Sequence, residues 1–588
     1  MPDSLRFPGP ETIAAEQDSA NANSRSPFFK SAWVAIALAV VLLCTRAVEI
    51  GDTQVYAHDI TDHIGKSPFG AGNSLWEFGH LLWRPLGWAV FSLVSPMLSA
   101  LTAWTPDMQA IFVLIAVSTP FAFVAVVMWY AIAVRATGSR GIACFVAIAI
   151  ACTHGFLLYA HAGCAYIAGV ACVSVSLFFL LTGRIAAGAA FYALSALLWF
   201  PFILSGLGLL LLAGSPSEDW DQSLRERFRQ FNWSAATRFT IIAATALLLV
   251  YGFALYACRI SSVAEAKAWY SSAAHGYSQN GRVIRAATGV PRSFLYLGKD
   301  GILYKRFLRH DPYAPVSLRD LAGASLWKLC AFYLFVVCLV YRLVRRGPSR
   351  WMLVLTAAGT FPVLFFAVAI LEPGSPERYL PGLPFLIPAI AWALRDFPSS
   401  GRITQGVIAA FLVCIVLNDL YSFAAPRVSA QDAGSLARVS GLRTRINRAG
   451  LVMVATNQDA LEETMNRLAF DNINRPSQMR VYDIVENANS RVLTWRQDFA
   501  TQTLKVWENG GDVWVSKRVW SPRPQPSWNW TEGDDPRISW ADLPPFFATV
   551  DTDAESGGPD GFLRIARNDA NRTLLAGLAA SGTPLHRD

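Results

Sequence analysis

Charge is what this chain of 588 residues has least of: only 16% of them are Asp, Glu, Lys or Arg, while 53% are hydrophobic and the mean hydropathy is +0.34. A soluble core of ordinary proportions cannot hide that much apolar surface, which excludes a soluble globular protein. Cysteine is scarce as well. The nine cysteines fall between Cys44 and Cys414, in or beside apolar segments, and the polar C-terminal region has none. Neither a disulfide framework nor a metal spacing can be read from them. The C-terminal region also lacks a Gly-rich phosphate loop and a nucleophile elbow, so nothing in it marks a second enzyme. No internal repeat is visible and the apolar runs carry no charges at depth, which weighs against a transporter. The net charge of +8 comes from short basic clusters between apolar runs. Without a continuous basic stripe, nucleic acid is not an expected partner.

Apolar runs stand at roughly 32–50, 107–134, 141–161, 163–182, 185–199, 200–214, 239–258, 326–343, 351–371, 379–394 and 403–422. Judged against a span of about 20 residues, they predict a multi-pass α-helical membrane protein with about eleven crossings. The two runs flanking Phe200-Pro201 are short, and the proline removes a backbone donor, so a broken helical hairpin is expected there. Residues 1–30 are polar and the first run has no small-residue cleavage site, which predicts a retained anchor. Arg25, Lys30, Arg135, Arg140, Arg184, the group from Arg225 to Arg238, Arg342 to Arg350, Arg395 and Arg402 all fall on one face if the N-terminus is cytoplasmic.

That orientation leaves three extracytoplasmic pieces: a loop at about 51–106, a second at about 259–325, and a domain at 426–588. The apolar stretch 86–103, bounded by Pro85 and Pro106, would invert every later loop if it crossed, so it is expected to lie in the membrane interface. In the last piece, 451–456, 480–485 and 513–516 read as strands and 460–470 and 499–508 as amphipathic helices, predicting a small α/β domain. Trp520, Trp528, Trp530 and Trp540 lie among prolines, either as core and interface packing or as stacking surfaces for a sugar.

Three patches fall in the extracytoplasmic part of the chain or at its edge. The first runs through Arg46 and Glu49 into Gly51-Asp52-Thr53-Gln54-Val55-Tyr56-Ala57, at the mouth of the first span. Ionisable groups at membrane depth are costly enough to point to function. The second is Phe78-Gly79-His80-Leu81-Leu82-Trp83-Arg84-Pro85-Leu86, and the third is Pro376-Glu377-Arg378-Tyr379-Leu380-Pro381-Gly382-Leu383-Pro384.

In their order and common side these patches resemble the GT-C class of membrane glycosyltransferases, which take a sugar from a polyprenyl-phosphate carrier and act outside the cytoplasm. The first looks like that class's acidic residue followed four positions later by Tyr, here Asp52 and Tyr56. The second is similar to the His-Pro-Pro-Leu or Tyr-Arg-Pro-Leu element opening the interfacial helix of protein O-mannosyltransferases. The third looks like an Arg-Tyr-Leu-Leu-Pro stretch at the start of a late span. The resemblance covers about 32–422 and not the tail. Where the class often has a second acidic residue, this chain has Thr53.

The resemblance implies a GT-C-like transmembrane domain at 31–425, in the plasma or inner membrane. It implies an inverting enzyme that transfers sugar from a polyprenyl-phosphate donor to a glycolipid, polysaccharide or protein. A polymerase or ligase with a lipid-pyrophosphate donor, and a transporter or flippase of lipid-linked sugars, are the rival readings.

Chemistry assigns the parts. A sugar hydroxyl is a poor nucleophile, and a carboxylate that accepts its proton contributes about 10² to 10⁴ in rate. Asp52 is the candidate base. Glu49, a turn earlier, either shares its face and repels it or pairs with Arg46. A departing phosphate needs cations and donors. Arg378 and Tyr379 are the first candidates, with Arg84 and His80, and with Arg46 and Tyr56, beside them. The bland alternative for Arg378 is pairing with Glu377 or Glu372.

The second loop adds Arg282, Arg285, Arg292, Lys299, Lys305, Arg306 and Arg309 against Asp300 and Asp311, which suggests anionic headgroups or the carrier phosphate as counter-charge. Some lipid-linked sugar transferases use a divalent cation. His58, Asp59, Asp62 and His63 match no closed zinc pattern and are expected to form a solvated loop. His154 and His161 are expected to be buried with ordinary partners.

Overall fold

The computed structural model describes residues 32–45, 51–70, 73–102, 106–215, 222–272, 282–297, 302–312, 315–345, 350–371, 373–395, 402–423, 450–454, 479–484, 494–523, 538–553 and 562–580. Every apolar run read from the sequence carries helix. Among the described residues, five helices are long and apolar enough to cross a membrane: Met108–Thr137, Trp233–Ala257, Leu318–Arg345, Arg350–Ala369 and Ile403–Phe423. A sixth span results if Arg140–Ala151 and His154–Ala160, bent by 68°, count as one. The remaining runs form shorter helices, Ala32–Cys44, Ala165–Leu181, Ile185–Leu198 and Phe200–Gly214, together with Leu383–Leu394. Among the described residues, length alone thus accounts for five or six of the eleven expected crossings. The sequence marks the breaks: Pro201 opens a 3-10 turn at Phe200–Ser205, and Pro376 opens another at Pro376–Gly382.

The helix Ala165–Leu181 is apolar on all sides and buried along most of its length, as a helix at the centre of a bundle must be. The helices Pro106–Thr137 and Ile185–Leu198 cover it. Outer helices keep apolar residues exposed, among them Leu248, Leu249 and Phe253, then Phe361 and Phe365, then Leu417. Such surfaces are stable against lipid and a liability in water.

The expected interfacial helix spans Trp83–Leu101, with Trp83, Phe91 and Leu98 buried and Leu86, Leu93, Met97 and Leu101 exposed on its other side. Gly87 lets it lie close against the neighbouring helix, because a Cβ there would collide with Ile60 and Leu114.

The C-terminal part holds a five-stranded sheet. The strand Gly450–Val454 pairs in parallel with both Met479–Asp483 and Val513–Ser516. Phe562–Ile565 pairs antiparallel with Val513–Ser516 and with Thr552–Asp553. The helix expected at 499–508 begins at Trp495, where Thr494 and Gln497 cap each other reciprocally. That Thr-x-x-Gln signature is legible in the sequence. Trp540 is fully buried and donates to the Ser521 carbonyl at 2.9 Å, while Trp520 rests on Phe547. Both take part in packing. Trp528, Trp530 and the helix expected at 460–470 lie outside the described residues.

Candidate active site

The site begins at the turn 161–164. Gly163 adopts φ +67°, a conformation glycine takes without steric cost, and its carbonyl accepts the Trp83 indole N–H at 3.0 Å. Thr53, fully buried, donates its hydroxyl to the Ala162 carbonyl and lies 3.2 Å from Cys164 Sγ. Thr45 at the end of the first helix meets His161 Nε2 at 3.0 Å. These ties dock the helix Gly51–Asp62 against the start of Ala165–Leu181. They also explain the departure at position 53: an ionised carboxylate there would face a carbonyl oxygen in a dry contact.

The docking brings Tyr166 to Asp52, whose Oδ2 accepts the phenol proton at 2.5 Å. Asp52 itself is exposed and lines a cavity of about 350 Å³. Arg378, from the far end of the membrane domain, lines the same cavity, as do Glu77, His80 and Arg84. Trp199, Phe78, Phe200, Tyr270 and Phe366 complete it as a largely aromatic wall. The fold thus joins in one cavity residues that stand hundreds of positions apart in the chain.

Arg378 sits 5.7 Å above the Trp199 ring, within cation–π range. Its Nε is 3.4 Å from Glu377 Oε1, so the pairing named as the bland alternative exists. Glu372 lies outside the described residues. Glu377 is buried, and its Oε2 accepts the Tyr159 hydroxyl at 2.5 Å.

Tyr379 is not brought to this cavity. In a 3-10 turn, with three residues per turn, neighbours point in different directions. Tyr379 accordingly lines a separate apolar cavity with Leu380 and Leu383, and its hydroxyl donates to the Pro373 carbonyl at 2.5 Å.

Arg84 is already balanced. Its two terminal nitrogens lie 2.7 Å from Asp59 Oδ2 and 2.7 Å from Glu77 Oε2, and Nη1 also donates to the Ser74 carbonyl at 2.8 Å. His80 is 2.9 Å from Glu77 Oε2 through Nδ1 and 3.0 Å from the Tyr56 hydroxyl through Nε2. Burial raises the Asp59 carboxyl above its ordinary value, although Arg84 pulls it back. Burial, foremost, also holds the Tyr56 phenol well above 10, with Asp52 adding to the effect, so Tyr56 stays a proton donor. Arg84 is therefore already engaged by Asp59 and Glu77, and His80 by Glu77 and Tyr56, which leaves Arg378 as the first candidate for a phosphate. Arg46 and Glu49 lie outside the described residues.

The expected solvated loop at 58–63 is instead mostly helix. Asp62 pairs with Lys66 at 3.7 Å and His63 Nδ1 meets the Asp59 carbonyl at 2.7 Å. Among the described residues no three His, Cys, Asp or Glu side chains cluster as a metal site.

In the basic second loop, two of the expected cations have partners within the chain. Arg292 donates to the Gly374 carbonyl at 3.1 Å, and Arg306 pairs with the buried Asp311 at 3.3 Å. Neither they nor Arg285 lines the polar cavity. Lys299 and Asp300 lie outside the described residues. His154 is buried between the Tyr296 and Phe423 rings.

Glu77, Tyr159, Tyr166 and Trp199 escaped the sequence reading, and Asp59 was read only as part of a solvated loop. Glu77, three residues before His80, had a spacing signal; a tyrosine inside an apolar run has none.

No protein-family model and no curated protein sequence matches this chain. Among solved structures it is similar to ArnT from Cupriavidus metallidurans in the apo state, with 12% identity over 92% of this chain and 99% of that one and a TM-score of 0.48. The same enzyme bound to undecaprenyl phosphate gives 12%, 92%, 99% and 0.46. The Archaeoglobus fulgidus oligosaccharyltransferase in complex with Zn and sulfate gives 13% identity over 87% and 70% of the two chains, with a TM-score of 0.45. The likeness is distant, and the chemistry is read from the cavity's own side chains.

Proposed function

We propose that this protein is an inverting membrane glycosyltransferase that moves a sugar from a polyprenyl-phosphate donor to an extracytoplasmic glycolipid, polysaccharide or protein. The observation that carries this reading is the shared cavity: a solvent-accessible carboxylate, Asp52, and a guanidinium, Arg378, line one space with an aromatic wall. In the proposed reaction the acceptor hydroxyl attacks the anomeric carbon as its proton passes to Asp52. The bond from that carbon to the phosphate oxygen breaks on the opposite face, and the phosphate leaves with the electron pair toward Arg378. Stacking on Trp199 fixes the plane of the guanidinium before the charge develops, and a planar fork suits phosphate oxygens. The aromatic wall offers apolar faces to a sugar ring.

In the orientation set by the basic clusters, the N-terminus is cytoplasmic and both this cavity and residues 426–588 lie outside. The test is Asp52→Asn, which preserves volume and removes the base. Membranes containing the full-length variant are offered a panel of polyprenyl-phosphate-linked sugars, labelled in the sugar. Loss of transfer by a factor of about 10² or more supports the reading; undiminished transfer at normal expression rejects it.

A further inference from the structure

We infer that Tyr166 is a positioning residue for the base, holding one carboxylate oxygen of Asp52 so that the other is presented to the acceptor hydroxyl. The inference rests on the proposed role of Asp52. Asp52 stands on the first turn of its helix as an exposed side chain, and its one side-chain hydrogen bond among the described residues comes from Tyr166. Unanchored, such a side chain samples several staggered rotamers, and a base that wanders by an ångström loses much of its effect.

Tyr166 is well suited to prevent this. Its ring is nearly fully buried, meeting Trp199 edge-on with centroids 4.5 Å apart and Tyr159 edge-on at 4.8 Å. The phenol cannot swing away without breaking both contacts. A buried hydroxyl that gave up its acceptor would be left unsatisfied at a desolvation cost. At 2.5 Å the bond lies in the range of a hydroxyl donating to an ionised carboxylate. The proton stays on Tyr166 throughout, and the proton removed from the acceptor goes to Asp52.

The other titratable and charged groups around Asp52 are Tyr56 on its own helix, Tyr159 from the short helix His154–Ala160, Cys164 from the packed turn, and Glu377 and Arg378 from the late 3-10 turn. His80, Glu77 and Arg84 stand across the cavity. None of these changes in a Tyr166→Phe variant, which also keeps the ring packing.

Tyr166→Phe is expected to lower kcat about 10- to 100-fold while leaving donor KM within about twofold. A donor that favours the ionised carboxylate is lost, so the acidic limb of the kcat/KM profile is expected to move to higher pH by about one unit. Incorporating 3-fluorotyrosine at position 166 makes the phenol a stronger donor and should move that limb the other way. It provides the readout if the phenylalanine variant fails to fold. Both measurements use transfer from the labelled polyprenyl-phosphate sugars in membranes. An unchanged acidic limb in the folded phenylalanine variant, or in the fluorotyrosine protein, overturns the inference. The outcome is separable from the parent reading: Asp52→Asn inactive with Tyr166→Phe unaltered removes only the role of Tyr166, whereas active Asp52→Asn removes the base itself.

Discussion

Tyr159 and Glu377, 218 positions apart, are joined by a hydroxyl-to-carboxylate hydrogen bond of 2.5 Å beneath the cavity floor. Through it, the short helix His154–Ala160 fixes the carboxylate whose other oxygen faces Arg378 Nε. Glu377→Gln is expected to raise the donor KM about tenfold, since it removes a charge-assisted interaction worth about 1.5–3 kcal/mol, with a smaller effect on kcat. Tyr159→Phe leaves the charge in place and should give a milder rise in KM. Steady-state kinetics on the two variants separate these outcomes; equal losses in kcat with constant KM would place Glu377 in the chemical step instead.

Arg378 makes two kinds of contact at once, with the Trp199 face and with Glu377. Lysine supplies a charge but neither a planar fork nor a stacking surface. Arg378→Lys is accordingly expected to lose at least about tenfold in kcat/KM even though net charge is conserved, and Arg378→Ala about 10² or more. Full activity of the lysine variant would mean that only a point charge is needed.

Much of this arrangement was legible in the sequence, and the part that was not has a physical reason. Asp52 and Arg378 were readable because ionisable groups beside apolar runs are costly and therefore meaningful. The helices were readable from run length, and Val513–Ser516 from its position after the Asn509-Gly510-Gly511 turn. Tyr379 was misplaced because position in a motif does not specify the rotation of a 3-10 turn. Tyr166 and Tyr159 carry no charge and interrupt no apolar pattern, so only the docking of Thr53 onto the 161–164 turn reveals that they meet two carboxylates.

Arg84 is expected to act on stability before activity. Arg84→Met would leave the buried Glu77 and the half-buried Asp59 without their cation, at a cost of up to about 3–5 kcal/mol. The sign of its pH dependence follows from Asp59. Its folded value already lies above the ordinary 3.8, so the folded state binds that proton more tightly than the unfolded state. The resulting stabilisation is complete below the unfolded value and is lost as pH rises through the folded one. Removing Arg84, which lowers that value, widens the window. Thermal unfolding in detergent should show Arg84→Met gaining on the parent protein as pH falls from neutral toward 5, and a pH-independent gap between the two would contradict this assignment.

Thr53→Asp puts a second carboxylate where the GT-C class often has one, and the local geometry opposes it. The threonine hydroxyl is a donor to the Ala162 carbonyl in a fully buried contact, and its methyl group closes on Gly163. Ionised aspartate has no proton to give, so oxygen would face oxygen in a dry contact, and the helix bearing Asp52 would be pushed from the turn bearing Tyr166. The expected result is a protein destabilised by about 1–3 kcal/mol, with reduced kcat and no gain from added Mg²⁺ or Mn²⁺. Thr53→Ser, which keeps the donor, should retain most activity. A Thr53→Asp variant that folds normally and becomes faster with a divalent ion would show instead that the turn yields, and that this position accepts a metal ligand.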